Sequence, residues 1–152
     1  MTDTDKARVL IVDDDDGILQ ISRMSLKRVR FRGRRLDILL ASSGGLAVST
    51  LSEQTGVGVM LIDGEMETNT AGLDTCRAIR EELGNEDLRI LLRTGKVDMD
   101  AKEREAARKW DLQGHLPKGD TSKDDLVDAV LGALEAYYLK IEGVSEAVRV
   151  SG

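Results

Sequence analysis

Short apolar runs alternate with longer amphipathic stretches along the whole chain: VLIV (9–12), LDILLA (36–41), VGVMLI (57–62), LRILLR (88–93) and the shorter GHLP (114–117). Each run has the length of a strand, and the stretches between them are long enough for helices, the pattern of βα units around a parallel sheet. VLIV and VMLI are apolar at every position, as central parallel strands buried on both faces are, whereas LDILLA suits an edge. The first intervening stretch carries Ile18, Ile21, Met24 and Leu26 at helical spacing, and the second Leu46, Val48 and Leu51. Leu73, Cys76, Ile79 and Leu83 form a clear buried stripe in the third, which ends at Gly84. The fourth, around 100–111, has few large apolar groups apart from Trp110 and predicts a weakly packed helix.

The fifth helix is expected to begin after Thr121 or Ser122 as N-cap, with Asp124 and Asp125 in its first turn and Leu126, Val130 and Leu134 facing inward. Its pattern runs past Lys140, on the order of 20 residues and 30 Å. Val127, Val130, Leu134, Tyr137, Ile141, Val144 and Val148 follow the a and d spacing of a coiled coil, while Leu126 and Leu131 can face the domain's own core. The expectation is a homodimer through this C-terminal helix.

Length then limits the picture to one domain over 1–152, with a core of about 8–140 and a helix extension or tail over 141–152. No apolar run approaches bilayer length and the start lacks the features of a secretory signal, so a cytoplasmic protein without membrane contact is expected. Cys76 is the single cysteine and reads as a small core residue. The net charge of −6 argues against direct nucleic-acid binding. Arg23, Lys27, Arg28, Arg30, Arg32, Arg34 and Arg35 nevertheless crowd together before the second run, read as a solvated, salt-bridged loop in preference to a partner-binding patch.

In an open α/β sheet, ligands bind beyond the carboxyl ends of the strands. There the first run delivers Asp13 to Asp16, the third Asp63, the fourth Thr94-Gly95 and the fifth Lys118. Converging carboxylates need a cation, and hard oxygen ligands at a phosphate-handling site point to Mg²⁺. An aspartate can also be the nucleophile that accepts a phosphoryl group, with a metal, an ammonium and a hydroxyl as stabilisers. Asp14, Lys118 and Thr94 are the candidates for holding the metal and supplying the other two. Taken singly, acids after a strand are often helix N-caps, as Asp15 or Asp16 is expected to be, but a cap does not need four. A calcium loop fails, because with Gly17 as its glycine the first and last ligands would be Val12 and Arg23.

The segments VLIVDD (9–14), VMLID (59–63), AGLDTCRAIR (71–80), LLRTG (91–95) and HLPK (115–118) together resemble response-regulator receiver domains of two-component signalling, over roughly residues 8–140. The stretches RFRGRRLDILLASSGG (30–45), EMETNTAGLDTCRAIREELGN (65–85) and RILLRTG (89–95) are similar to receivers placed ahead of regulatory or cyclic-dinucleotide output domains. The resemblance implies a flavodoxin-like, doubly wound five-stranded parallel sheet of strand order 2-1-3-4-5. It also implies Asp63 as phosphoacceptor and metal ligand, Asp14 on Mg²⁺ directly, Asp13 mainly through water, and Glu65 through its backbone carbonyl. Thr94 would follow the phosphoryl group, Lys118 would pair with it, and His115 stands where an aromatic side chain reports phosphorylation. The implied partners are a sensor histidine kinase or phosphotransfer protein and an output domain in a longer protein. Gly119 departs from the family's Pro after the lysine, and a trans bond with a shifted loop is expected there.

Two other readings compete. A haloacid-dehalogenase-type phosphatase would use Asp13 as nucleophile and Asp15 two residues on, but Asp124 and Asp125 sit in a helix turn and no cap domain fits the length. A degenerate receiver acting as a protein-binding module would keep the fold without the chemistry; the set Asp13, Asp14, Asp63, Thr94 and Lys118 argues against that loss.

Overall fold

The computed structural model describes residues 6–96, 98–119 and 121–143. The elements follow in the order β1 (Arg8–Val12), α1 (Asp16–Leu26), β2 (Arg30–Phe31), β3 (Arg34–Arg35), β4 (Asp37–Ala41), α2 (Gly44–Glu53) and β5 (Val57–Asp63). Then come α3 (Ala71–Arg77), which continues as a π-helical turn (Ala78–Glu82), β6 (Arg89–Thr94), α4 (Ala101–Lys109), β7 (Gly114–Pro117) and α5 (Lys123–Ile141). The main sheet is parallel in the order β4-β1-β5-β6-β7, which is 2-1-3-4-5 counting its own strands, with β4 at one edge.

The apolar runs divide between two faces by the two-residue period of a strand. Val9, Ile11, Val59, Leu61 and Leu91 pack with Leu19 and Leu26 of α1 and Leu126, Val130 and Leu134 of α5. Leu10, Val12, Met60, Ile62, Ile90 and Leu92 pack with Ala47 and Leu51 of α2 and Cys76 and Ile79 of α3. Both faces being covered is why β1 and β5 show no polar alternation. Burial pushes the Cys76 thiol up to about 12, leaving it the inert core residue expected.

Two helix readings need correction, and the α5 stripe is narrowed. In α1 the buried positions are Leu19, Ser22 and Leu26, whereas Ile21 and Met24 are 67% and 62% exposed. A serine in the inner stripe hid the true face. In α2 the inner residues are Gly44, Ala47 and Leu51, and Leu46 is exposed; a Cβ on Gly44 would lie 2.1 Å from Thr75 Oγ1, so close approach to α3 sets that face. In α5, Val130, Leu134 and Tyr137 belong to the domain's own core, and a Cβ on Gly58 of β5 would meet the Tyr137 ring at 2.8 Å. The described part of the supposed dimer stripe is therefore largely occupied within the domain; Val144 and Val148 lie outside the described residues. The helix itself is as long as expected, 19 residues.

Arg23 of the basic segment lies in α1 and Lys27 follows as its C-cap, while residues 30–35, read as a loop, form instead a β2–β3 hairpin. Its turn, Arg32-Gly33, has φ of 52° and 81°, the positive pair that a two-residue primed turn requires. Phe31 stacks on Tyr138 with ring centroids 5.5 Å apart, and Arg32 lies over the same ring and pairs with Glu142 at 3.2 Å. The hairpin is thus fastened to the last turn of α5. The fourth helix matches its expectation, burying only Glu103 and Ala106.

Candidate functional site

The site forms where β1, β5, β6 and β7 end. Asp13 continues β1 by donating its backbone N–H to the Ala41 carbonyl at 3.1 Å, and its Oδ1 accepts the Asp15 N–H at 2.9 Å. Asp15 in turn caps α1, its carboxylate accepting from the Ile18 N–H. This turn leaves Asp13 and Asp14 above the sheet, Asp13 buried at 1% exposure and Asp14 exposed.

Asp63, at the end of β5, is 3% exposed; its Oδ1 accepts from the Glu65 N–H at 3.0 Å and its Oδ2 from Lys118 Nζ at 2.8 Å. Lys118 is placed by its own backbone N–H, which donates to the Thr94 carbonyl at 2.8 Å. The peptide joining Lys118 to Gly119 is trans, as Gly119 led us to expect. The same ammonium stands 3.7 Å from Asp13 Oδ2, too far for a hydrogen bond, and that buried oxygen has no hydrogen-bond partner.

Asp13, Asp14 and Asp63 each bring a carboxylate oxygen within 4.8 Å of the others. Burial raises the Asp13 pKa above the usual carboxylate range; the Asp15 N–H opposes this, the Asp63 and Asp14 charges add to it, and Lys118 opposes it. One ammonium does not balance three clustered carboxylates. The orphaned Asp13 oxygen and the all-oxygen donor set fit a hard divalent cation.

Two backbone contacts shape the Asp63 loop. The Gly64 N–H donates to the Arg93 carbonyl at 2.9 Å, and the Gly72 N–H at the start of α3 donates to the Gly64 carbonyl at 3.1 Å. A Cβ on Gly72 would lie 2.3 Å from the Asp63 carbonyl oxygen, so only glycine lets α3 approach this closely. The sequence marked AGLD as a motif without revealing that its glycine touches Asp63.

Thr94 is buried, and its hydroxyl donates to the Lys96 carbonyl at 2.7 Å. It shares a sheet face with half-buried His115, which is paired in register with Leu92. Spacing alone puts Lys96 and Glu65 on opposite sides of the mouth; instead they lean together, Nζ to Oε1 4.0 Å, because Lys96 also pairs with Asp100 at 2.7 Å and Glu103 at 3.6 Å at the start of α4. Asp100 and Glu103 form a reciprocal capping box there. The phosphatase alternative loses its second acid, since Asp15 is engaged as a cap and Asp125 belongs to the α5 capping box.

Among the described residues no helix is long and apolar enough to cross a membrane. The chain is 35% identical over 129 residues to 3'3'-cGAMP-specific phosphodiesterase 2 of Vibrio cholerae serotype O1, an alignment covering 85% of this chain and 24% of that protein. It spans about a quarter of that relative's length. Among solved structures it is similar to a response regulator receiver protein from Pseudomonas putida, with TM-score 0.66, 28% identity, and 82% and 95% of the two chains covered. An adenylate cyclase structure from Rhodopirellula baltica shares the fold, with TM-score 0.78 at 21% identity, covering 91% of this chain and 94% of that one. Residues 9–131 match the response regulator receiver domain, and the chain belongs to that family.

Proposed function

We propose that Asp63 accepts a phosphoryl group in a Mg²⁺-dependent reaction and that the resulting change of charge switches the domain. The observation that carries this reading is the pairing of Lys118 with Asp63 Oδ2 beside an acidic cluster whose Asp13 oxygen lacks a partner. Asp13, Asp14 and Asp63, with the Glu65 backbone carbonyl, would hold the metal. When bound, Mg²⁺ supplies positive charge to the phosphoryl oxygens.

One Asp63 carboxylate oxygen attacks phosphorus. The bond from phosphorus to the donor breaks, its electron pair leaving with the donor group, which is the imidazole of a phosphohistidine or the carboxylate of a small acyl phosphate. The ammonium of Lys118 then faces an aspartyl phosphate where it faced a carboxylate, and remains its ion-pair partner. The hydroxyl of Thr94, now on the Lys96 carbonyl, turns to a phosphoryl oxygen and frees the chain that leads into α4. His115, on the same sheet face, moves with it.

The natural donor is a histidine kinase or phosphotransfer protein, and the domain acts on an output unit, as its similarity to part of a much longer phosphodiesterase suggests. The chain's own chemistry is limited to gain and loss of its phosphoryl group. Incubation with Mg²⁺ and a small acyl phosphate, followed by mass spectrometry, tests the reading. Modification of Asp63 supports it, turnover through Asp13 would favour a phosphatase, and no reaction would leave a binding module.

A further inference from the structure

A second cation, Arg93, stands on the same sheet face as the acidic cluster. Arg93 pairs in register with Asp63 across β5 and β6, and residues so paired on parallel strands point to the same face of the sheet. Asp13 shares that face, standing two residues beyond Ile11 as Asp63 stands two beyond Leu61, both members of the core under α1 and α5. Arg93 Nη1 donates to Ser22 Oγ at 2.7 Å, and Ser22 is itself buried on the inner side of α1. Among the described residues the guanidinium makes no other hydrogen bond and no ion pair within 4.0 Å. Burial lowers its pKa, and the charges of Asp13 and Asp63 oppose that fall. A half-buried guanidinium with one serine for a partner would be costly by itself; acids on the same face offset that cost.

We infer that Arg93, tethered by Ser22, is a second fixed cation of the site that sets the balance between metal and phosphoryl binding. This rests on the reading of Asp63 as a Mg²⁺-assisted phosphoacceptor. A permanent positive charge beside the carboxylates opposes a divalent cation and favours a bound anion, so it trades metal affinity for hold on the phosphoryl group. Arg93 acts through the field and through the placing of α1, without touching the transferred group.

The opposite signs make the inference testable. Mg²⁺ alone is titrated calorimetrically into the parent, Arg93→Met, Arg93→Gln and Arg93→Lys, and beryllofluoride is then titrated at saturating Mg²⁺. Arg93→Met keeps an unbranched side chain without the charge, and Arg93→Gln retains a donor for Ser22 without the charge, so one reports if the other does not fold. Both should bind Mg²⁺ about three- to tenfold more tightly and beryllofluoride more weakly by a similar factor, and Arg93→Lys should return both toward the parent. Weakening of both ligands would mark a merely structural residue, and unchanged affinities an idle one; either overturns the inference alone. A parent that binds neither ligand overturns the phosphoacceptor reading and this inference with it.

Discussion

Gly72→Ala places one methyl group against the backbone that carries Asp63. The new Cβ would stand 2.3 Å from the Asp63 carbonyl oxygen, 2.6 Å from Gly64 Cα and 3.0 Å from the Asp63 carbonyl carbon. All three are backbone atoms, so no side chain can rotate away, and relief requires α3 and the Asp63–Gly64 loop to part by about 1 Å. That movement would stretch the 3.1 Å bond from the Gly72 N–H to the Gly64 carbonyl and drag the carboxylate of Asp63 away from Lys118. Overpacking of this kind costs about 1–3 kcal/mol of stability, and a misplacement of ~1 Å at reacting atoms costs ~100-fold in rate. Gly64→Ala is the control, because its Cβ would meet nothing nearer than Leu92 Cδ1 at 3.4 Å, an ordinary contact. Chemical denaturation gives the stability change, and intact-mass measurement of labelling by a small acyl phosphate gives the rate. We expect Gly72→Ala to fold but label ~100-fold more slowly, and Gly64→Ala to stay within a few-fold of the parent. Equal labelling of Gly72→Ala and parent would refute the idea that this helix contact positions the phosphoacceptor.

Asp14→Asn should weaken Mg²⁺ binding and slow labelling together, by about tenfold or more, since even outer-shell metal partners are worth that much; an unchanged metal titration would remove Asp14 from the ligand set. Asp13 has its pKa raised by burial, so the folded state holds its proton more tightly than the unfolded state and the metal-free protein loses stability from this group as pH rises from acid toward neutral. Asp13→Asn should accordingly melt higher than the metal-free parent, by a margin that widens with pH, and should lose the parent's gain on adding Mg²⁺; a margin independent of pH would contradict this. Because Lys96 and Glu65 lean together over the mouth, Lys96→Ala and Glu65→Ala should both open it and change the dephosphorylation rate in the same direction. The effect should be no more than about fivefold, as exposed pairs are screened by solvent and contribute little, and rates equal to the parent's in both would sink the idea. Amide exchange with and without beryllofluoride should differ across 94–118, where Thr94 leads into the weakly packed α4; identical patterns would place the switch elsewhere.

How far the sequence could be read depended on which physical signal each feature leaves. Strands buried on both faces show as unbroken apolar runs, so the sheet and its carboxyl-end rim, with Asp13, Asp63, Thr94 and Lys118, are legible in the sequence. Helix faces set by small residues were not. The inner side of α2 rests on Gly44 and Ala47, whose burial leaves no apolar peak, while exposed Leu46 suggests one. The hairpin at 30–35 was masked by its charge, with Gly33 as the one turn residue in it, and Phe31 gains its meaning from Tyr138, far along the chain. The α5 stripe is ambiguous for a related reason: a and d spacing describes any helix packed along one line, and it cannot tell a second chain from the sheet beneath.

Arg93 and Ser22 show the same limit at the site itself. A charged residue in a β-run and a hydroxyl in a helix stripe each look like breaks in the apolar pattern, and each alone weakens the prediction of its element. They explain one another only when β6 and α1 meet, where the hydroxyl accepts from the guanidinium and the charge shares a sheet face with Asp13 and Asp63. A polar residue that interrupts a core pattern is therefore worth matching against other interruptions on elements that the topology brings together. The chemistry of a site is assembled from such pairs as much as from the residues that break no pattern.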